Sequence, residues 1–206
     1  MENALISRMK GRKQRFVGVT NSTAPALEAS FLAVVSLLEA HFFKHRYLLG
    51  GRVTFADFAL FGQCYCMSTD PTASEILRSH APSLTEFVLR MSLGCPRDCT
   101  GHTASWEELS PALLPLLTTS VSGWFLPWTA ANEVAAKHQD KSFSVMLPGN
   151  VLWTQQTSKF QVKTFTQLKG HYTALVAEDA IVAAIMEQCG CRKYLEGPQL
   201  APHSRL

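Results

Sequence analysis

Cysteine and histidine are the residue types in this sequence that could supply a nucleophile, a general base or a metal ligand. Cys95, Cys99 and His102 follow one another with a C-x3-C-x2-H spacing. Three such side chains could hold zinc if a fourth ligand came from elsewhere in the chain. No second Cys/His pair with ligand spacing follows them. The sequence therefore predicts no metal site.

The other four cysteines form two Cys-x-Cys pairs, Cys64 with Cys66 and Cys189 with Cys191. A nucleophilic thiol needs a pKa lowered by a helix N-terminus or a nearby cation. Cys64 and Cys66 lie among aromatic residues in the second half of a predicted helix, so we expect buried and inert thiols. Cys189 and Cys191 fit either a redox pair or a plain helix end. The chain opens with no signal peptide, so we expect reduced thiols and a cytoplasmic location.

Three histidines are candidates for a general base: His41, His45 and His171. No Ser/His/Asp order and no other partner accompanies them in the sequence. We interpret them as core or surface residues, and the sequence predicts no catalytic residue in this chain.

The most informative local pattern is at residues 53–58. Thr54 is predicted to be the N-cap of a helix and Asp57 its third residue, so that the carboxylate can bond to the Thr54 N–H in a capping box. Val53 and Phe58 flank the box as a hydrophobic staple. The helix that follows is apolar almost all round, so we expect it to be central and buried.

Apolar residues spaced three and four apart predict a largely helical chain. Residues 142–147 alternate polar and apolar, and a Pro-Gly-Asn turn separates them from residues 151–153, which predicts a β-hairpin. The predicted helices are 24–45, 55–67, 70–78, one that begins at Pro82, 106–118, 120–138, 158–177 and 178–188.

Composition excludes several classes of protein. Hydrophobic residues make up 47% and charged residues 17% of the 206 residues, which favours a buried core over disorder. A net charge of +3 is too small to indicate nucleic-acid binding. Residues 109–132 carry no charge and are long enough to span a bilayer. They also contain three prolines and several polar residues, so we interpret them as a buried helix pair and predict no membrane role.

Four groups of residues carry a resemblance to a known family. They are 37–39 (Leu-Leu-Glu), 47–51 (Tyr-Leu-Leu-Gly-Gly), the box at 53–57, and 81–84 (Ala-Pro-Ser-Leu) with Phe87, Arg90 and Met91. In this pattern the segment 26–91 resembles the C-terminal domain of cytosolic glutathione transferases. Beyond Met91 the chain looks like a long-tailed subgroup of bacterial-type transferase-like proteins, through 113–116, 127–132, the hairpin and 159–163.

The resemblance implies an all-α fold: a helical bundle of the glutathione-transferase C-terminal type, with extra C-terminal helices and a small β-hairpin. It also implies a domain organisation. We expect a partial helix and linker at 1–23, the transferase-like core at 24–93, a helical extension with a hairpin near 142–153 at 94–191, and a flexible tail at 192–206.

Members of the family carry an N-terminal thioredoxin-like domain that activates the thiol of glutathione. Only 23 residues precede the long helix here, which is too few for a βαβ unit. We therefore expect that domain to be missing and glutathione, the co-substrate of the family, not to bind this chain alone.

The resemblance also places a substrate pocket at the first helix, where Arg8, Arg12 and Phe16 would border it. The alternative for these residues is a solvated basic helix. Two functions follow from the resemblance: the wall facing the electrophile in a glutathione-dependent transferase, or a non-enzymatic interaction module. A fragment of a longer protein is a third interpretation. The expected partners are a second copy of the chain or a thioredoxin-like domain.

Overall fold

The computed structural model describes residues 17–94 and 101–196. These residues form nine α-helices, a π-helical segment and one antiparallel hairpin, so the predicted helical fold with a small hairpin is confirmed. The elements are α1 (Ala24–Phe42), α2 (Phe55–Thr69), α3 (Pro71–His80), α4 (Pro82–Ser92), α5 (Trp106–Leu116), the π-helical segment (Leu117–Phe125), α6 (Leu126–Lys137), β1 (Ser142–Leu147), β2 (Val151–Gln156), α7 (Lys159–Glu178), α8 (Ala180–Gln188) and α9 (Arg192–Leu195).

The chain divides into two compact units. Among the described residues, those between Ala29 and Leu116 form one unit, and residues 17–28 together with 117–196 form the other. Each unit has its own buried side chains.

The core of the first unit forms where α1 packs with α2, α3 and α4. The predicted apolar stripe of α1 places Leu38 and Phe42 in this core, and the Phe42 ring stacks on Phe87 with the ring centroids 4.1 Å apart. The Glu39 carboxylate accepts the Leu84 N–H at 3.0 Å. The N-cap of α4 is Ala81, which has no side-chain acceptor, so Glu39 supplies the acceptor from another helix.

Short-range chemistry explains why α2 ends and α3 begins at Asp70. Its carboxylate accepts the N–H groups of Thr72 and Ala73, each at 3.0 Å, and Pro71 takes the first helical position, where no N–H is needed.

The break predicted near Thr119 is absent. Instead the helical chain continues from α5 through nine residues of π-helix into α6. Pro111 and Pro115 lie inside α5, where each removes an N–H donor, and the backbone remains helical. The π-helical segment is anchored at Ser122, whose hydroxyl donates to the Gly190 carbonyl at 2.8 Å.

The hairpin of the second unit packs against α6. Its turn places Gly149 and Asn150 at positive φ, and Phe143, Leu147 and Trp153 face inward. The buried Asn132 side chain of α6 holds the start of α7. Its Oδ1 accepts the Ser158 N–H at 2.8 Å, and its Nδ2 donates to the Ser158 carbonyl at 3.0 Å.

The structure differs from the expected tail at 192–195. These residues form α9, and Leu195 is buried. The Tyr172 hydroxyl donates to the Glu196 carboxylate at 2.9 Å, which attaches this end of the described chain to α7.

Two helical stretches of the described residues, Ala24–Phe42 and Trp106–Lys137, are long and apolar enough to cross a membrane by length and composition alone. Core helices of soluble proteins share this property. The absence of a membrane role therefore stays a prediction.

Candidate functional site: the Asp57 cap and the exposed face of α2

The cap of α2 is built around the Asp57 side chain, which is completely buried. Its Oδ2 accepts the Thr54 N–H at 2.7 Å and the Thr54 hydroxyl at 2.8 Å, and its Oδ1 accepts the Leu48 N–H at 2.6 Å. Because charge-assisted hydrogen bonds are the strong ones, this carboxylate fixes both the start of α2 and the turn before it.

That turn needs glycine. The N–H of Tyr47 donates to the Gly50 carbonyl at 2.8 Å, and Gly50 adopts φ +111°. A Cβ on Gly50 would lie 2.6 Å from the Ala104 backbone nitrogen, so no larger residue fits. The Ala104 N–H donates to the Leu49 carbonyl at 2.9 Å. This hydrogen bond holds the loop that precedes α5 against the turn.

The expectation that α2 is buried on all sides is wrong. Among its residues only Asp57 and Cys64 are buried, while Phe55 is 93% and Phe58 50% exposed. The helix packs against α3 and α4 with one side. The other side is apolar and open to solvent. The sequence of a single helix does not indicate which of its sides other elements will cover.

The exposed side of α2 forms a continuous face. Phe55, Phe58, Gly62 and Tyr65 are spaced three, four and three residues apart, as on one side of a helix. A Cβ on Gly62 would meet no atom within 4 Å. We call these four residues the α2 face.

A shallow hollow of about 420 Å³ opens beside the N-terminus of α2. Val53 and Phe58, the predicted staple, both line it. Val53 packs against the core and Phe58 is half exposed. The other lining residues are Arg52, Thr54, Phe55 and Thr103.

Residues 21–88 match the family model described as "Glutathione S-transferase, C-terminal domain". This part of the chain is similar to that domain, and the match covers 68 of the 206 residues. No curated protein and no solved structure matches the chain. The match extends from just before α1 into α4, so the Asp57 cap and the α2 face both lie within the transferase-like segment.

Several candidate residues lie outside the described part of the chain. They include Arg8, Arg12 and Phe16, so the substrate pocket stays a prediction. Cys95 and Cys99 of the Cys/His pattern are also outside it. Among the residues that the structure describes, no group of three His, Cys, Asp or Glu side chains could hold a metal ion.

The cysteines of the transferase-like segment differ from each other. Cys64 is buried, and burial raises its pKa to about 11, which keeps it a thiol. Cys66 was expected to be buried but is exposed. Side chains two positions apart on a helix point to nearly opposite sides, so Cys66 faces away from the core that buries Cys64. Outside the segment, Cys189 and Cys191 are free and buried, and burial raises the pKa of both thiols.

For His41 the sequence left open a position in the core or at the surface, and the structure places it in the core. It is buried, and its Nε2 lies 3.2 Å from the Tyr47 carbonyl oxygen, which can only accept. Its ring stacks on His45 with the centroids 4.9 Å apart, and its Nδ1 has no partner among the described residues. A signal was available, since His41 follows Leu38 of the apolar stripe by three residues.

Proposed function

We propose that the transferase-like segment is the helical half of a glutathione-dependent transferase, and that the α2 face receives a thioredoxin-like half. The observation that carries this proposal is the exposure of Phe55 and Phe58 next to a rigidly capped helix start. Full burial of one such ring stabilises a protein by about 1.5–3 kcal/mol, so a covering domain gains from this surface.

The geometry of the α2 face favours another helix as the covering element. Gly62 lies between Phe58 and Tyr65 with open space around its α-carbon. A backbone can approach most closely at glycine, and large side chains on either side then fill the space around it.

The pKa of the Cys64 thiol bears on which half of the proposed enzyme supplies the attacking thiolate. An attacking thiolate at neutral pH needs a lowered pKa, and burial shifts the pKa of Cys64 in the opposite direction. In the proposed enzyme the thiolate belongs to glutathione and is activated by the thioredoxin-like half. This chain contributes the apolar wall against which the electrophile lies, with Arg8, Arg12 and Phe16 at the border of the pocket.

The test measures association with a separately prepared thioredoxin-like domain of a cytosolic glutathione transferase. We expect calorimetry to detect no glutathione binding by the chain alone and to detect binding of the added domain. The double variant Phe55→Ser/Phe58→Ser should lose that binding. Phe43→Ser is the matched control, since Phe43 is 79% exposed at the end of α1 and outside the α2 face.

The outcomes separate the two functions. Association together with conjugation of glutathione to 1-chloro-2,4-dinitrobenzene supports the transferase. Association without turnover favours the interaction module, which the same exposed face would serve. Glutathione binding by the chain alone, or equal loss of association in the Phe43→Ser control, would contradict the proposal.

A further inference from the structure

A cavity of about 240 Å³ lies in the first unit, where the consecutive helices α2, α3 and α4 meet. Its floor is apolar and is formed by Leu77 of α3 and Val88 of α4, which are only 2% and 4% exposed. Tyr65 of α2 and Leu89 of α4 border the mouth, and each is roughly half exposed. None of the described residues that line this cavity borders the hollow beside the N-terminus of α2.

Four hydroxyl side chains also line the cavity, and each already donates its proton to a nearby backbone carbonyl. The pairs are Ser68 to Tyr65 at 2.8 Å, Ser74 to Pro71 at 3.1 Å, Thr85 to Ala81 at 2.8 Å and Ser92 to Val88 at 2.7 Å. A hydroxyl group has one proton and two lone pairs. These side chains therefore offer a ligand acceptors, and the ligand must supply the donor.

Thr85 is the hydroxyl that belongs with the apolar floor. Its Oγ1 lies 3.2 Å from the carbonyl oxygen of Leu77 and 2.8 Å from that of Ala81. Both carbonyls also accept a backbone N–H at 2.9 Å, from Ala81 and from Thr85 itself. Removing the hydroxyl consequently leaves neither carbonyl without a donor. Thr85 is thus an acceptor that the helices do not need and that a ligand resting on Leu77 and Val88 can use.

The charge at the mouth is balanced. Arg78 of α3 lines the cavity, and its guanidinium lies 2.7 Å from the Glu75 carboxylate on the exposed surface of the same helix. An exposed pair of this kind carries no net charge and is screened by water. The mouth therefore gives no preference for an anion, and the neutral floor favours an uncharged ligand.

We propose that this cavity binds a small uncharged aromatic molecule of one or two rings that carries an N–H or O–H donor. The rings lie against Leu77 and Val88, and the donor bonds to Oγ1 of Thr85. An engineered apolar cavity of about 150 Å³ holds benzene, so the space here is sufficient for a bicyclic ring such as indole. Small-molecule sites typically combine apolar walls with a few polar groups that fix the orientation of the ligand. This inference does not depend on the proposed transferase role.

The test is a titration of the full chain with indole and with indene, which has the same ring system and no N–H. Methyl NMR follows the signals of Leu77 and Val88 at the floor. We expect saturable shifts with a dissociation constant of about 0.1–1 mM for indole, as suits a ligand of this size. Indene should bind about fivefold more weakly, because it gives Thr85 no donor. Indole-3-carboxylate should bind no more tightly than indole.

Two variants locate the ligand. Thr85→Val keeps the shape of the side chain and should lower the affinity for indole to that for indene, while the affinity for indene stays unchanged. Ser74→Leu should fill the cavity and abolish binding of both. Ser79→Leu is the matched control, since Ser79 is exposed on the same helix and outside the lining, and it should leave both affinities unchanged. The methyl spectra of the free variants report whether each one folds.

Four results would each overturn the proposal. The first is the absence of saturable Leu77 and Val88 shifts with indole up to about 10 mM, well above the expected dissociation constant. The second is equal affinity for indole and indene in the unmodified chain. The third is a preference for indole that survives in Thr85→Val. The fourth is tighter binding of indole-3-carboxylate, which would indicate an anion site at Arg78.

Discussion

The Oδ1 atom of Asp57 lies 2.6 Å from the backbone nitrogen of Leu48, nine residues earlier in the chain. The other oxygen of the same carboxylate accepts from the backbone and the hydroxyl of Thr54. One buried side chain therefore holds the turn at 47–51 and the first turn of α2 in a fixed relation.

Replacing this carboxylate should destabilise the protein strongly. Asp57→Asn keeps the shape but removes the charge, and its amide N–H₂ then faces a backbone N–H, of Leu48 or of Thr54, which can only donate. We expect a loss of about 2–4 kcal/mol in the free energy of unfolding, measured by urea denaturation. Asp70→Asn is the control, because Asp70 caps α3 at an exposed site where asparagine caps equally well, and it should cost less than about 0.5 kcal/mol. Equal effects of the two variants would contradict the structure.

Acid should destabilise the protein through His41. Burial lowers the pKa of His41 below its ordinary value of 6.5, with a further lowering from His45, against a raising influence of the Tyr47 carbonyl and of Asp57. The unfolded chain then binds more protons than the folded one between the two pKa values. The contribution of neutral His41 to stability is complete above about pH 6.5 and is lost as the pH falls through its folded-state pKa.

The measurement is the free energy of unfolding at about pH 7.5 and about pH 5.5, on either side of the ordinary histidine pKa. The fall in stability toward acid should shrink in His41→Gln. It should persist in His138→Gln, since His138 is exposed at the end of α6. An unchanged pH dependence in His41→Gln would rule out this source of acid sensitivity.

Asn132 should be essential for the attachment of α7. Asn132→Ala leaves the Ser158 N–H and carbonyl without their partner in a partly buried position, and we expect a loss of about 2–3 kcal/mol. Ser144→Ala removes an exposed hydroxyl pair with Thr154 and should change stability by less than about 0.5 kcal/mol. Denaturation curves of both variants provide the comparison, and a mild effect of Asn132→Ala would show that water replaces the amide.

The thiols should react in a fixed order. Cys66 is exposed, whereas Cys64, Cys189 and Cys191 are buried, so iodoacetamide at about pH 8 should modify Cys66 well before the other three. Peptide mapping by mass spectrometry gives the extent at each site. In denaturant the difference should vanish. Early modification of Cys64 in the folded protein would contradict its burial.

Local chemistry made part of this fold predictable. The start of α2 follows from Thr54 and Asp57, which are three residues apart, and the hairpin turn follows from the Pro-Gly-Asn sequence that places Asn150 at positive φ. Such features depend on neighbouring residues alone, so they can be read from the sequence.

Features that depend on distant residues could not be predicted. The Asp57–Leu48 bond and the Asn132–Ser158 pair join segments whose proximity is a property of the folded chain. The exposure of Phe55 has the same origin, since an apolar residue gives no sign of whether another element covers it. The π-helical segment was missed because the wider turn uses the same residue types as an α-helix.

Gln155 accepts hydrogen bonds from two indole nitrogens, Trp128 at 2.8 Å and Trp153 at 3.0 Å. Trp124 packs edge-on to Trp153, so three of the four tryptophans of the chain lie in the unit that contains the hairpin. Intrinsic fluorescence consequently reports on the melting of the hairpin unit, whereas ellipticity averages over both units. Melting curves that differ between the two optical signals would reveal that the transferase-like helices and the hairpin unit lose their structure separately.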